Sequence, residues 1–159
     1  MTYYNENTIV WLNGAFVKAS EAKMDFYSQS LHYGYSVFEG IRSYKTINGE
    51  IRIFKATEHF DRLQQSAHTL NMPYHWTSEE LIEATNEVLK RNNLEDGYIR
   101  PVVYAPANMS FVRNTDSFII IEVWEMQPFL GEKLLKVFTS NFQRPNPKAF
   151  KIHAKAGGH

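Results

Sequence analysis

The sequence of 159 residues contains no cysteine. This absence excludes a disulfide framework, thiolate metal sites, iron–sulfur clusters and a thiol nucleophile. Apolar runs are short, and the longest, such as residues 118–121, are far below the roughly 20 residues that cross a bilayer as a helix. Residues 1–7 lack a basic patch followed by an apolar stretch, so no secretory signal is recognised. We therefore expect a soluble, cytoplasmic protein.

Charge is balanced in total but unevenly distributed along the chain. The 17 basic and 17 acidic residues cancel, which argues against a general polyanion binder. From residue 133 to residue 159, however, there are six lysine and arginine residues and no acidic residue. This basic stretch is open to three interpretations: an ordinary surface strand and loop, a site for a small anion, or a nucleic-acid contact.

Hydrophobic periodicity predicts strands, then two helices, then strands again. The predicted strands cover residues 8–12, 15–18, 37–44, 51–54, 98–104, 117–124 and 134–139. The helical spacing of Phe60, Leu63 and Ala67 predicts a helix over residues 56–70. Thr77 and Glu80 form a capping-box pattern that starts a second helix, which ends at residues 91–93. This order is typical of an α+β fold with a mostly antiparallel sheet and two packed helices.

The common catalytic signatures are absent from the sequence. There is no phosphate-binding glycine loop, no zinc-protease motif and no dinucleotide fingerprint. The six histidines lack the spacing of metal ligands, so no metal site is predicted.

Two segments suggest a site built on strands. In residues 31–42, Gly34 and Gly40 bracket aromatic residues, and glycine permits close backbone approach or positive φ; plain packing is the alternative. Further along, Tyr98 and Arg100 point to one face of a predicted strand. An arginine beside a tyrosine suits a carboxylate, whereas an exposed strand arginine is the ordinary interpretation.

Two further segments carry basic side chains of interest. Lys155 stands among alanine and glycine residues, which leave room for a planar ligand; a flexible tail is the alternative. Nearby bases such as Lys151 favour a deprotonated, nucleophilic amine at Lys155. Arg62 lies on the polar side of the predicted helix, where a surface ion pair with Glu58 is its ordinary explanation.

Together these segments resemble the N-terminal part of the branched-chain amino acid aminotransferases, which belong to fold type IV of the pyridoxal-phosphate enzymes. The resemblance extends from about Ile9 to Gly158. Five motifs carry it, in the family's order and rough spacing: WLNG, SLHYGYSVFEGIR, EHFDRLQQSA, NNLEDGYIRP and AKAGG. Two alternatives stay open: a D-amino acid aminotransferase or aminodeoxychorismate lyase on the same fold, and a non-catalytic binding module that uses the basic stretch.

The resemblance implies roles for individual residues. Lys155 corresponds to the lysine that binds pyridoxal phosphate as a Schiff base and then transfers protons, and Arg62 to the arginine that contacts the cofactor phosphate. Phe38 resembles the wall of the apolar pocket for leucine, isoleucine and valine side chains. The polar edge of that pocket, which accepts the side-chain carboxylate of glutamate, resembles three residues of this sequence: Tyr33, Tyr98 and Arg100.

The implied reaction is ping-pong transamination of leucine, isoleucine and valine with 2-oxoglutarate, which gives branched-chain 2-oxo acids and glutamate. A homodimer or higher homo-oligomer is implied as well, with no nucleic-acid or membrane partner. Members of this family are considerably longer, with a second domain beyond the matched lysine. We therefore expect residues 1–139 to form the N-terminal domain and residues 140–159 an interdomain segment that reaches the cofactor lysine. With the second domain missing, the 159 residues are expected to be inactive alone.

Overall fold

The computed structural model describes residues 3–126, 134–143 and 146–158. Within these ranges a seven-stranded sheet forms, and every strand pair in it is antiparallel. Its strands are β1 (Ile9–Leu12), β2 (Ala15–Lys18), β3 (Ser36–Phe38), β4 (Ile41–Lys45), β5 (Ile51–Ile53), β6 (Gly97–Tyr104) and β7 (Phe118–Glu125). The spatial order is β2-β1-β7-β6-β4-β5, and β3 also pairs with β6. The predicted α+β class with an antiparallel sheet is confirmed.

Three α-helices accompany the sheet in the described ranges, α1 (Gln29–Tyr33), α2 (Ala56–Thr69) and α3 (Ser78–Arg91), and a short 3-10 helix covers Ala19–Glu21. Helices α2 and α3 pack against one another and against one face of the sheet. Their apolar stripes supply Phe60, Leu63 and Leu81, which are fully buried. They meet alternate residues of the central strands, such as Ile99 and Ile121, because successive strand side chains point to opposite faces.

The two long helices follow the prediction closely, and the shortest α-helix was missed. Thr77 accepts a hydrogen bond from the Glu80 backbone N–H at 3.1 Å, and the Glu80 carboxylate accepts one from the Thr77 N–H at 2.8 Å. The capping box is therefore confirmed. Helix α1 has five residues between the N-cap Ser28 and the C-cap Gly34, whose φ is 64°. Such a helix is too short to display an apolar stripe, so periodicity did not predict it.

The prediction of one continuous strand over residues 37–44 is wrong in one respect. Strands β3 and β4 both pair with β6, but they are separate strands interrupted at Glu39 and Gly40. The side-chain alternation continues through the break, since Val37, Glu39 and Ile41 are all buried. The sequence therefore shows the two-residue period of one strand, although the backbone hydrogen bonds to β6 are interrupted at this point.

The strand predicted over residues 134–139 is also wrong. The structure assigns no strand there, and these residues are exposed. Strand preference mainly reflects how a side chain fits a pleated, half-buried surface. Leu134, Val137 and Phe138 have suitable side chains, but no described strand pairs with them. None of the described helices is both long and apolar enough to span a membrane.

Candidate active site

A buried carboxylate, Glu39, joins the two cofactor residues that the resemblance suggested. Its side chain has no exposed surface and accepts hydrogen bonds from Arg62 Nε at 2.5 Å and Arg62 Nη2 at 2.7 Å. His59 Nδ1 lies 2.9 Å and Lys155 Nζ 3.2 Å from the same carboxylate. Arg62 and His59 stand one helical turn apart on α2, so both reach the break between β3 and β4.

The charges in this cluster favour the ionised form of Glu39. Burial of the carboxyl group acts first and raises its pKa, because a charge in the interior loses its hydration. Hydrogen bonds from Arg62 and His59, together with the positive charge of Lys155, outweigh that effect and hold the pKa of Glu39 below its usual value. Its hydrogen bonds to Glu39 in turn raise the pKa of the Arg62 guanidinium, which stays charged.

Backbone pairing fixes the segment that carries Lys155. The Phe38 N–H donates to the Lys155 carbonyl at 3.1 Å, and the Gly157 N–H donates to the Ser36 carbonyl at 2.9 Å. The Lys155 N–H donates to Ser66 Oγ of α2 at 3.0 Å. Ala154 and Ala156 are buried on either side of the lysine. The segment is therefore held beside β3, where Val37 and Ala156 form an isolated antiparallel bridge, and the alternative of a flexible tail is wrong.

Phe38 connects the lysine to the arginine on the sheet. The Lys155 amine lies 5.5 Å and the Arg100 guanidinium 4.7 Å from the centre of the Phe38 ring. Arg100 Nη2 donates to the Tyr98 hydroxyl at 2.8 Å, which confirms that both side chains share a face of β6. The Nε atom of Arg100 is buried and has no hydrogen-bond partner among the described residues. The ordinary interpretation of Arg100 as an exposed strand residue is therefore wrong.

The two glycines that the sequence singled out allow close approaches at this site. A Cβ atom at Gly34 would lie 2.6 Å from Gly158 Cα, so a side chain would separate α1 from the lysine segment. A Cβ atom at Gly40 would overlap the Tyr98 hydroxyl. Glycine at both positions therefore brings neighbouring segments together, and the Tyr98 ring is held against the strand break.

Tyr33 lies apart from the other candidates. It ends α1, exposes 67% of its surface, and lines a cavity of about 620 Å³ with Phe111, Val112 and Gly158. No described contact joins its ring to Phe38 or Arg100. The structure thus brings five of the six candidate residues together, and it leaves Tyr33 on the surface.

Glu39 and His59 were not predicted from the sequence as site residues, and the basic residues contact other neighbours than those predicted. Arg62 pairs with Glu39, whereas Glu58 lies 3.9 Å from Lys55. The cation that shares Glu39 with Lys155 is Arg62 of α2, whereas Lys151 is exposed. An acid at a strand position between buried apolar residues was the available signal for Glu39. No cluster of three or more possible metal ligands occurs in the described ranges.

Comparisons with known proteins agree with this geometry. The branched-chain-amino-acid aminotransferase of Pseudomonas aeruginosa is 35% identical over 164 residues, which cover 99% of this chain and 53% of that protein. The crystal structure of the Escherichia coli branched-chain amino acid aminotransferase superposes with a TM-score of 0.89 at 33% identity, over 96% of this chain and 52% of that one.

A second solved structure shows the same coverage. The branched-chain amino acid aminotransferase from Thermobaculum terrenum, in its PLP-bound holo form, gives a TM-score of 0.79 at 28% identity, over 96% of this chain and 52% of that one. The chain thus spans about half the length of the relatives that it matches. The sequence model of amino-transferase class IV matches residues 36–159, from β3 through the lysine segment. The chain belongs to the class IV aminotransferase family.

Proposed function

We propose that this chain supplies the cofactor lysine and the side-chain pocket of a pyridoxal-phosphate-dependent branched-chain amino acid aminotransferase. One observation carries the proposal: the Lys155 amine and the Arg100 guanidinium approach the same Phe38 ring. The amine proposed to act on the substrate α-carbon, Lys155 Nζ, thereby lies beside the apolar ring of Phe38, and Arg100 lies at the same ring. This arrangement suits substrates whose side chains are either apolar or acidic.

The residues present fit pyridoxal phosphate. Lys155 exposes 35% of its side chain, so its amine is within reach of a ligand, and Arg62 exposes 52%. Arg62 uses Nε and Nη2 for Glu39, which orients the guanidinium and leaves its other N–H groups for a phosphate. When bound, the cofactor stabilises negative charge at the substrate α-carbon. Lys155 would hold it through Nζ, and Arg62 would contact its phosphate.

Lys155 has a second role in this proposal. With the cofactor and a substrate bound, Nζ of Lys155 would accept the proton of the substrate α-carbon and would donate it again as amino transfer proceeds. Glu39 lies 3.2 Å from that atom, so the amine stays in a defined place. Ser66 holds the backbone of the same residue. Lys155 is therefore held both at its backbone, by Ser66, and at its side-chain amine, by Glu39.

Dual substrate recognition follows from Phe38, Tyr98 and Arg100. The Phe38 ring offers an apolar surface to leucine, isoleucine or valine. Arg100 donates to the Tyr98 hydroxyl through Nη2 and keeps further N–H groups, so its guanidinium would bind the side-chain carboxylate of glutamate or 2-oxoglutarate. A shorter apolar side chain does not reach the guanidinium. The products are then branched-chain 2-oxo acids in one half-reaction and glutamate in the other.

We also propose that a second copy of the chain covers the surface around Tyr33. Large apolar side chains are exposed there, on the loop before α1, on α1 itself and on the loop after β6: Phe26, Tyr27, Leu31, Met109, Phe111 and Val112. Apolar surface of this size marks contact sites in soluble proteins. In a homodimer Tyr33 would reach the partner's pocket rather than its own, which would account for its distance from Arg100.

The cytoplasmic location and the domain division at residue 139 stay predictions.

The test uses the complete natural polypeptide that contains this sequence. We expect borohydride reduction with pyridoxal phosphate to label Lys155, and we expect amino transfer from leucine, isoleucine and valine to 2-oxoglutarate. Lys155→Ala should remove both, whereas Lys151→Ala, a change of an exposed lysine in the same segment, should retain both.

Other results of the same experiment would favour the alternatives. Activity with D-alanine or aminodeoxychorismate and none with leucine would assign a sister reaction on the same fold. A protein that takes up no pyridoxal phosphate would contradict the proposal. Salt-sensitive nucleic-acid binding by such a protein would instead support a binding module.

A further inference from the structure

A second acidic residue, Glu122, stands directly opposite Arg100 in the sheet. Strands β6 and β7 are central, and their register pairs Arg100 with Glu122 and Tyr98 with Trp124. Side chains of directly paired residues share a face, with Cβ atoms roughly 4.5–5.5 Å apart. Glu122 therefore belongs to the face that carries the proposed carboxylate-binding arginine, opposite the face covered by α2 and α3.

Arg100 and Glu122 form no hydrogen bond or ion pair with each other in this structure. Arg100 is held by Tyr98 and by the Phe38 ring, and its buried Nε lacks a partner in the described ranges. Glu122 is partly buried and makes no hydrogen bond or ion pair with any described residue. Burial raises the pKa of the Glu122 carboxyl, and the charge of Arg100 opposes that rise. The two groups thus interact through space without a direct bond.

Two other charged side chains face this region: Arg42, which pairs with Tyr98 in the register of β4 and β6, and Lys23. Lys23 and Glu122 line a cavity of about 370 Å³, whose other walls are largely apolar, including Val102 and Ile120. Lys23 reaches this cavity from the segment between β2 and α1 and makes no ion pair with a described residue. Glu122 is therefore the acidic side chain among those lining residues, and its nearest cross-strand cation is Arg100.

We propose that Glu122 determines substrate specificity by opposing the binding of a side-chain carboxylate at Arg100. The inference rests on the proposed function, in which Arg100 receives the acidic side chain. With an apolar side chain in the pocket, Glu122 compensates the charge of Arg100, so the guanidinium is not left as an isolated buried cation. An incoming dicarboxylate must compete with the field of Glu122. The residue acts through Arg100 and thereby sets the balance between the two substrate classes.

The experiment compares two unreactive acids as inhibitors of the complete natural polypeptide: glutarate, a dicarboxylate, and 4-methylvaleric acid, which has a branched apolar chain. Glu122→Gln removes the charge and keeps the shape. It is expected to tighten glutarate binding roughly tenfold, about 1.4 kcal/mol, with little change for 4-methylvaleric acid. The KM for 2-oxoglutarate should fall similarly while kcat with leucine is retained.

Two control variants separate this effect from general changes of charge or stability. Glu122→Asp keeps the charge and should retain the wild-type ratio of the two inhibition constants. Glu83→Gln removes a charge from the exposed side of α3 and should change neither constant. Equal thermal unfolding midpoints for the variants and the wild type would show that the fold is intact.

An unchanged ratio in Glu122→Gln, or weaker glutarate binding, would overturn the inference while leaving the aminotransferase activity in place. A wild-type protein without aminotransferase activity would refute the proposed function, and the inference would fall with it.

Discussion

Replacement of Glu39 by glutamine is the sharpest test of how the site is organised. The carboxylate has no exposed surface and is shared by Arg62, His59 and Lys155, which come from α2 and from the lysine segment. Glu39→Gln keeps the side-chain volume but replaces one acceptor oxygen by an amide donor that faces other donors. Three positively charged or polar groups then lose their common partner, so both stability and the position of the amine should suffer.

The loss of unfolding free energy in Glu39→Gln follows from how exposed the partners of Glu39 are. Removing one partner of a buried ion pair typically costs about 3–5 kcal/mol, because the other charge is left uncompensated. Here Arg62 and Lys155 expose 52% and 35% of their side chains, so water replaces part of what each loses. We therefore expect Glu39→Gln to lower the free energy of unfolding by roughly 2–4 kcal/mol. Cofactor retention should fall as well, since Arg62 loses the contact that orients it.

Urea unfolding of the apo protein measures the stability loss, with Glu95→Gln as the control. Glu95 pairs with Lys45 at 2.9 Å, both about half exposed, so that change should cost less than about 1 kcal/mol. Because the pKa of Glu39 is lowered in the folded state, its contribution is complete above the ordinary carboxyl range and is lost as the pH falls through the folded value. Equal costs for the two variants, or a difference that does not shrink in acid, would refute the reasoning.

Three further predictions concern single residues of the site. Arg62→Ala should weaken pyridoxal-phosphate retention roughly tenfold or more in equilibrium dialysis; unchanged retention would leave Arg62 as a structural partner of Glu39 alone. Arg100→Ala should reduce kcat/KM for glutamate at least roughly tenfold more than for leucine; equal losses would remove its role in specificity. Gly40→Ala should lower the free energy of unfolding by roughly 1–3 kcal/mol, since the added methyl group overlaps the Tyr98 hydroxyl. Tyr98→Phe in the same chain should recover much of that loss in urea unfolding, and an unchanged loss would contradict the overlap.

Elements with strong local signals could be predicted from the sequence. Helices α2 and α3 have apolar stripes, and α3 has a capping box, so their type and extent were predicted correctly. The pairing of Tyr98 with Arg100 followed from the two-residue period of a strand alone. The strand over residues 134–139 was wrong because its composition favoured a strand while no described neighbour pairs with it.

The acidic residues of the site required knowledge of long-range packing. Glu39 meets Lys155 across 116 positions of the sequence, and Glu122 faces Arg100 only because of the register of β6 and β7. No local pattern encodes either contact. The family resemblance supplied Lys155, Arg62 and Arg100; Glu39 and His59 also lie within the matched motifs, but the resemblance suggested no role for them. The partners that set the charge of those residues therefore became visible only in three dimensions.

The two acids have opposite pKa shifts, and the difference explains how one sheet can serve two tasks. Both carboxyl groups lose hydration, so burial alone would raise both pKa values. Glu39 receives direct hydrogen bonds on the helix side and stays ionised, which gives the lysine and Arg62 a fixed frame. Glu122 receives none from the described chain and meets Arg100 only through space. A fixed frame suits a cofactor that stays bound, whereas, in the function that we propose, a weakly compensated arginine suits a pocket that accepts a carboxylate in one half-reaction and an apolar side chain in the other.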